Sequence, residues 1–231
     1  MGSSRDSVCP TNFSLSNIAF STPRSSTIER RPGARETQTE FDSSKRRRLE
    51  CITMSYCDIA PGHPYHGPYH AKEYGFPIRD DARLFERLAL EINQAGLSWL
   101  TILKKRENFR AAFDGFDVDR VAAYGKRERA RLLRDPGIIR NELKINAVIE
   151  NARRILEIRE THRSFARWLD AHHPLTKDEW VKLFKKTFLF TGGEITGEFL
   201  ISTGYLAGAH AATCPVYSKI AKRNPAWMRT T

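Results

Sequence analysis

The sequence predicts an all-α fold. From about residue 80, apolar residues recur at helical spacing, no convincing alternating strand pattern interrupts them, and no internal repeat divides the chain. With 231 residues, 40% of them apolar, the chain supports one substantial core, but its apolar residues are unevenly distributed.

Residues 1–52 are expected to be a disordered basic leader, residues 53–218 the helical domain and residues 219–231 a C-terminal tail. The leader is rich in Ser, Thr and Arg without a periodic apolar pattern, so it buries too little surface to offset the entropy of ordering. It ends near Lys45-Arg46-Arg47-Arg48, a run that fits a nuclear-import signal or a phosphate-contacting arm. Organellar targeting is the weaker competitor, because no amphipathic Arg-rich helix is evident. No apolar run approaches the length of a membrane span, so no membrane association is expected.

Asp80 or Asp81 caps a first helix that carries Leu84, Phe85, Leu88 and Ile92 and is stopped by Gly96. Ser98 starts a second, reaching roughly Phe113. On the first of these helices Glu91 lies three positions after Leu88 and seven after Leu84, which turns its carboxylate into the apolar face. A buried carboxylate is costly unless it is paired or serves a site, so Glu91 either has a partner or ligand or lies at a helix edge and reaches outward.

Residues 126–157 form a helix, a short hairpin and a second helix. Pro136 ends the first helix, Gly137 permits the turn, and the second helix carries Leu143, Ile145, Ile149, Ala152 and Leu156. Arg140 and Lys144 flank the N-terminus of that second helix, where free backbone N–H groups suit a phosphate; an ordinary αα-hairpin is the plainer reading. Further helices are expected over 163–172, 176–189 and 195–207, with Trp168, Trp180, Phe184, Phe188, Phe199 and Leu200 in the core.

Cys57 and His70 have twelve residues between them, and His210 and Cys214 have three. Two thiolates and two imidazoles make a complete tetrahedral set for Zn²⁺, with no position left for chemistry, so the ion would be a structural staple. The spacing alone also allows a buried free Cys with an unrelated His nearby. The other cysteines, Cys9 and Cys51, lie in the leader, so a disulfide framework is not expected and a reducing compartment is.

Net charge is +11, and the first 50 residues hold nine of the 38 basic and six of the 27 acidic residues, which leaves a surplus of eight positive charges in the remainder. A basic domain of this kind suits a polyanion such as nucleic acid.

Taken together, the segment from Cys57 to Cys214 resembles the 3-methyladenine DNA glycosylase I family, which has a helix-hairpin-helix fold with a structural zinc. The resemblance rests on Tyr69-His70, Glu73-Tyr74-Gly75-Phe76-Pro77, Leu90-Glu91, Gln94-Ala95-Gly96-Leu97-Ser98-Trp99, Leu103 through Arg110, Gly137-Ile138-Ile139-Arg140, Asn151-Ala152-Arg153, His210 and Cys214. It implies that Cys57, His70, His210 and Cys214 hold the zinc. It also implies that Glu91 reads the methylated base, that Tyr69 and Trp99 stack on it beside Tyr74, and that the Gly96-Leu97 loop enters the gap left by the extruded nucleotide. Gly137, Arg140 and Lys144 are then the hairpin contacts to double-stranded DNA, and the enzyme would be a monomeric, monofunctional hydrolase of the N-glycosidic bond. The alternative is a non-catalytic, zinc-stapled DNA-binding protein that retains the fold.

The chain departs from the family where Ile59 and Ala71 replace a Trp and an Asp, where Tyr74 replaces a Trp, and where Ala209 replaces an Asp. The largest departure is Thr191 through Phe199, where the family has small hydroxyl residues, Tyr and Gln. Glu194 and Glu198 are one turn apart in that stretch, and the preferred expectation is that both face solvent rather than line the pocket.

Overall fold

The computed structural model describes residues 54–229, and all regular elements among them are helical. Lys45 through Arg48, Cys9 and Cys51 lie outside the described residues. Eleven α-helices follow one another: α1 Tyr56–Ile59, α2 His66–Lys72, α3 Asp81–Gln94, α4 Trp99–Ala112, α5 Val118–Ala122, α6 Lys126–Arg134, α7 Glu142–His162, α8 Phe165–His172, α9 Lys177–Thr187, α10 Gly193–Ser202 and α11 Pro215–Ala221. Among the described residues no helix is long and apolar enough to cross a membrane.

Local chemistry sets the helix starts. Asp80, Ser98, Asn141, Ser164 and Thr176 each accept a hydrogen bond from a backbone N–H of the first turn, which satisfies a donor the helix itself leaves free. Of the two aspartates expected as caps for α3, Asp80 does it, and Asp81 instead ion-pairs with Arg159 on α7 at 2.9 Å.

Helix α3 is the axis of the domain, buried from Leu84 to Asn93 and packed by α4, α5, α7, α8 and α10. The expected aromatic residues of α8, α9 and α10 fill the core around it. Three short helices, α1, α2 and α5, had no periodic signal because none runs longer than two turns. Residues 219–229, expected as a tail, pack back onto the domain. Ile220 and Ala226 are buried, and Arg229 ion-pairs with Asp170 at 3.2 Å.

Helices α6 and α7 form the expected pair, joined by a turn that α4 holds from outside. Lys105 Nζ donates to the carbonyls of Pro136 and Gly137, at 2.9 and 3.1 Å. Gly137 is required by close approach, since a Cβ there would meet Asp135 Oδ1 at 2.9 Å and Asn108 Cβ at 3.1 Å. On α7 two residues exchange expected places: Leu143 is 70% exposed, whereas Lys144 is only 6% exposed. Lys144 Nζ donates to the carbonyls of Asn93 at 2.9 Å and Ala95 at 2.6 Å. Its charge is spent on the C-terminus of α3, so the expectation that it contacts phosphate is corrected.

Candidate active site

Glu91 lies on α3 among apolar neighbours, and its side chain opens into a narrow cavity lined also by Tyr56, Tyr69, Tyr74, Gln94, Trp99 and Glu198. The structure therefore brings together the acid and the three aromatic residues singled out in the sequence. Tyr69 and Trp99 stand 5.2 Å apart between ring centroids, tilted by 58°, and Tyr69 and Tyr74 are 5.6 Å apart. The indole N–H of Trp99 is buried and has no acceptor among the described residues.

A buried charge lattice fixes these walls. Arg87 donates one Nη to the Tyr69 hydroxyl and the other to Glu73 at 3.2 Å. Arg106 forks onto both Glu73 oxygens at 2.7 Å and reaches Glu86 through Nε at 2.7 Å, while Arg110 holds Glu86 at 2.8 Å. The segment from Leu103 to Arg110 thus positions α2, α3 and the turn after α6 without lining the cavity.

Burial, with the nearby Glu198 carboxylate adding to it, pushes the Glu91 carboxyl up to about 8 against the opposing pull of Arg87. Glu91 is thus largely protonated at neutral pH in the free cavity. Burial also pushes Glu198 up to about 6, while the Tyr74 hydroxyl, which donates to it at 3.3 Å, pulls the other way. The two glutamates of α10 therefore part. Glu194 faces solvent beside Lys177, 3.8 Å away, as expected, but Glu198 is half-buried in the cavity wall, contrary to expectation.

Cys57, His70, His210 and Cys214 converge at one end of the cavity's supporting helices, with their ligand atoms all within 4.8 Å of one another. Cys214 Sγ is 3.5 Å from His210 Nδ1 and 3.8 Å from His70 Nε2, and Cys57 Sγ is 3.7 Å from His210 Nδ1. Tetrahedral bonds of metal–sulfur and metal–nitrogen length set such edges at about 3.6 Å, so the group fits a metal ion. His210 Nε2 bonds the Tyr74 carbonyl at 2.9 Å, which turns Nδ1 toward the sulfurs. Burial lowers the pKa of both imidazoles, favouring the neutral, ligating form. Gly75 makes the approach possible: its φ is +79°, and a Cβ there would sit 2.5 Å from the Cβ of Ala209.

Gly96, with φ +78°, is exposed between α3 and α4, and Leu97 beside it is half-buried against the core. Arg140 is exposed just before α7, and the Gly137 N–H is taken by Asp135 Oδ1 at 2.7 Å. Three cavity residues had no assigned role in the sequence reading: Tyr56, Gln94 and Glu198. Gln94 had a visible signal, since it lies one turn after Glu91 on the same face of α3. Tyr56 had none, because its place depends on the metal cluster closing beside it.

A helical domain that gathers a buried acid and a fan of aromatic rings into one slot is built to hold a planar base. The profile described as methyladenine glycosylase matches residues 60–187. The chain is 37% identical to DNA-3-methyladenine glycosylase 1 of Escherichia coli (strain K12) over 183 residues, covering 71% of this chain and 97% of that one. It also resembles a crystal structure of 3-methyladenine DNA glycosylase I, with TM-score 0.62 and 38% identity over 69% of this chain and 97% of that chain. A third likeness is to a tyrosine-to-phenylalanine variant of such an enzyme in complex with 3-methyladenine, with TM-score 0.65 and 30% identity over 71% of this chain and 97% of that one. The chain belongs to the methyladenine glycosylase family.

Proposed function

We propose that the protein is a DNA repair glycosylase that swings an alkylated purine, 3-methyladenine first of all, out of duplex DNA and hydrolyses its N-glycosidic bond. The observation that carries this reading is Glu91, a buried carboxyl opening into the same slot as Tyr69, Trp99 and Tyr74. A pure binding protein has no use for that arrangement.

Extruding a base costs a few kcal/mol, less for a damaged one, and aromatic contact returns part of it. A base methylated on N3 is cationic. Its positive charge favours the carboxylate form of Glu91, which accepts a hydrogen bond from the base, while the ring faces favour the cation over neutral adenine. On cleavage the bonding pair leaves with N9 and discharges the base; water gives hydroxyl to C1′ and a proton to solvent. Among the described residues the cavity walls contain no lysine, in keeping with hydrolysis rather than Schiff-base chemistry.

Around the slot, Gly96 and Leu97 fill the vacated stack, and Arg140 with the turn at Gly137 holds the backbone of double-stranded DNA as a helix-hairpin-helix contact. Zn²⁺ is the ion for Cys57, His70, His210 and Cys214, since two thiolates and two imidazoles in a closed set suit it and leave no catalytic position. The Lys45–Arg48 run supports delivery to a nucleus.

The test is base release from dimethyl-sulfate-treated duplex DNA, read by mass spectrometry, for wild type beside Glu91→Gln. Release of 3-methyladenine that falls at least tenfold in the variant is expected. No release by wild type above the protein-free control, with DNA still bound, would overturn the reading.

A further inference from the structure

Glu198 is the feature that the family resemblance does not account for. It stands on α10, in the stretch where the chain departs most from the family, and it lines the same cavity as Glu91. Its carboxylate accepts from the Tyr74 hydroxyl, so one of the aromatic walls holds it in place. The local sequence makes room for this. Gly197 is buried beneath Lys177, and any Cβ there would meet Lys177 Cε at 2.8 Å and Nζ at 3.2 Å. Lys177 therefore lies across the outer side of this turn, reaching Glu194 with its ammonium group.

We propose that Glu198 is a specificity-determining residue that joins Glu91 in a two-carboxyl dyad, admitting N-alkylated guanine cations to a pocket that Glu91 alone would reserve for N-alkylated adenine. The proposal rests on the glycosylase reading above. A single carboxyl that ionises against a cationic base offers acceptors only. That suits the amino group of adenine and opposes O6 of guanine, which is itself an acceptor, and leaving such groups face to face in a buried site is strongly disfavoured.

Two carboxyls sharing one desolvated cavity do not both ionise, because like charges at close quarters in a low dielectric raise each other's affinity for a proton. Burial raises both groups and the Glu198 charge adds to the rise at Glu91, in keeping with a pair in one cavity that holds about one proton at neutral pH. Such a dyad presents a donor for O6 beside acceptors for the guanine N1–H and amino group. Its single negative charge still favours a base that is cationic over the undamaged one. Gln94 adds an amide to the same cavity, a competing donor for O6 that does not depend on Glu198.

The experiment uses the full chain and dimethyl-sulfate-treated duplex DNA, in which methylated guanine and methylated adenine are both present, and measures each released base by mass spectrometry. Wild type is expected to release both. Glu198→Ser is expected to lower the ratio of guanine to adenine released by at least tenfold, and Glu198→Gln, which keeps one donor and one acceptor, to restore part of that ratio. Release of adenine alone by wild type overturns the dyad and leaves the glycosylase reading intact. So does guanine release whose ratio is unchanged in both variants, which assigns O6 to Gln94. Release of neither base by wild type defeats the glycosylase reading itself. Should Glu198→Ser fold poorly, as its thermal midpoint would reveal, Glu198→Gln beside Tyr74→Phe, which removes the hydroxyl on Glu198, gives the same comparison, and an unchanged ratio in both overturns the proposal.

Discussion

Lys144 Nζ sits 2.6 Å from the carbonyl oxygen of Ala95, the residue just before Gly96. The second bond, to Asn93, makes Lys144 a clip that joins the start of α7 to the end of α3. It thereby ties the loop at Gly96 to the N-terminus of α7.

Replacing Lys144 with Met should therefore act on stability. Two carbonyls at a helix C-terminus lose their donor, at a cost of about 1–3 kcal/mol, because unpaired groups in a partly buried setting are expensive. The slope of log K against log salt for duplex binding should stay the same, since no phosphate contact is lost. Denaturant unfolding and a salt titration of DNA affinity separate these outcomes; a reduced slope with unchanged stability would return Lys144 to the phosphate-contacting role.

Arg140 should behave in the opposite way. It is exposed ahead of α7, and Arg140→Ala should weaken binding to any duplex, flattening the salt dependence by roughly one unit of slope while leaving the thermal midpoint in place. Fluorescence anisotropy on an undamaged duplex at several salt concentrations is sufficient.

Metal content gives a third prediction. Purified protein should hold about one zinc per chain, and a strong chelator or Cys214→Ser should lower the thermal midpoint, because metal binding energy in a closed structural site is folding energy. Elemental analysis combined with scanning fluorimetry reads both quantities. A full complement of zinc in Cys214→Ser would sink the assignment.

Stability should also respond to pH through Glu91. Its carboxyl titrates near 8 in the fold, above the usual range for a free glutamate, so the fold prefers the protonated form. That preference is fully present in acid and is lost as pH rises through the folded value. Glu91→Gln stays neutral throughout. The variant should gain on wild type between about pH 5 and 8, and should be the more stable protein at the upper end. Thermal midpoints measured across that interval test the sign.

Periodicity made α3 and the aromatic core legible, and the Ser98 cap marked the start of α4, because an amphipathic face and a cap residue are both written locally in the chain. The same arithmetic, carried through on α7, would have placed Lys144 correctly. Lys144, Val148, Asn151 and Ile155 form one buried stripe, and Leu143 lies one position off it. The charge of Lys144 hid its place on that stripe. Glu198 was hidden for a related reason: α10 buries half of its residues, and an acid in such a helix calls for the scrutiny that Glu91 received. What the sequence could not convey was closure. Tyr56 reaches the cavity where the Cys57 end of the domain meets the segment from His210 to Cys214, an encounter between residues far apart in sequence.

That meeting has a consequence for how the molecule is made. Cys57 and His210 are 153 positions apart, and His210 also grips the carbonyl of Tyr74, a wall of the slot. During synthesis the aromatic fan, Glu91 and the Lys144 clip all emerge from the ribosome before the residue that squares Tyr74 against them. A nascent chain halted short of Cys214 would carry most of its base-handling side chains without a finished slot to hold them. Competence to extract a base is thus withheld until the last turn of the fold is in place.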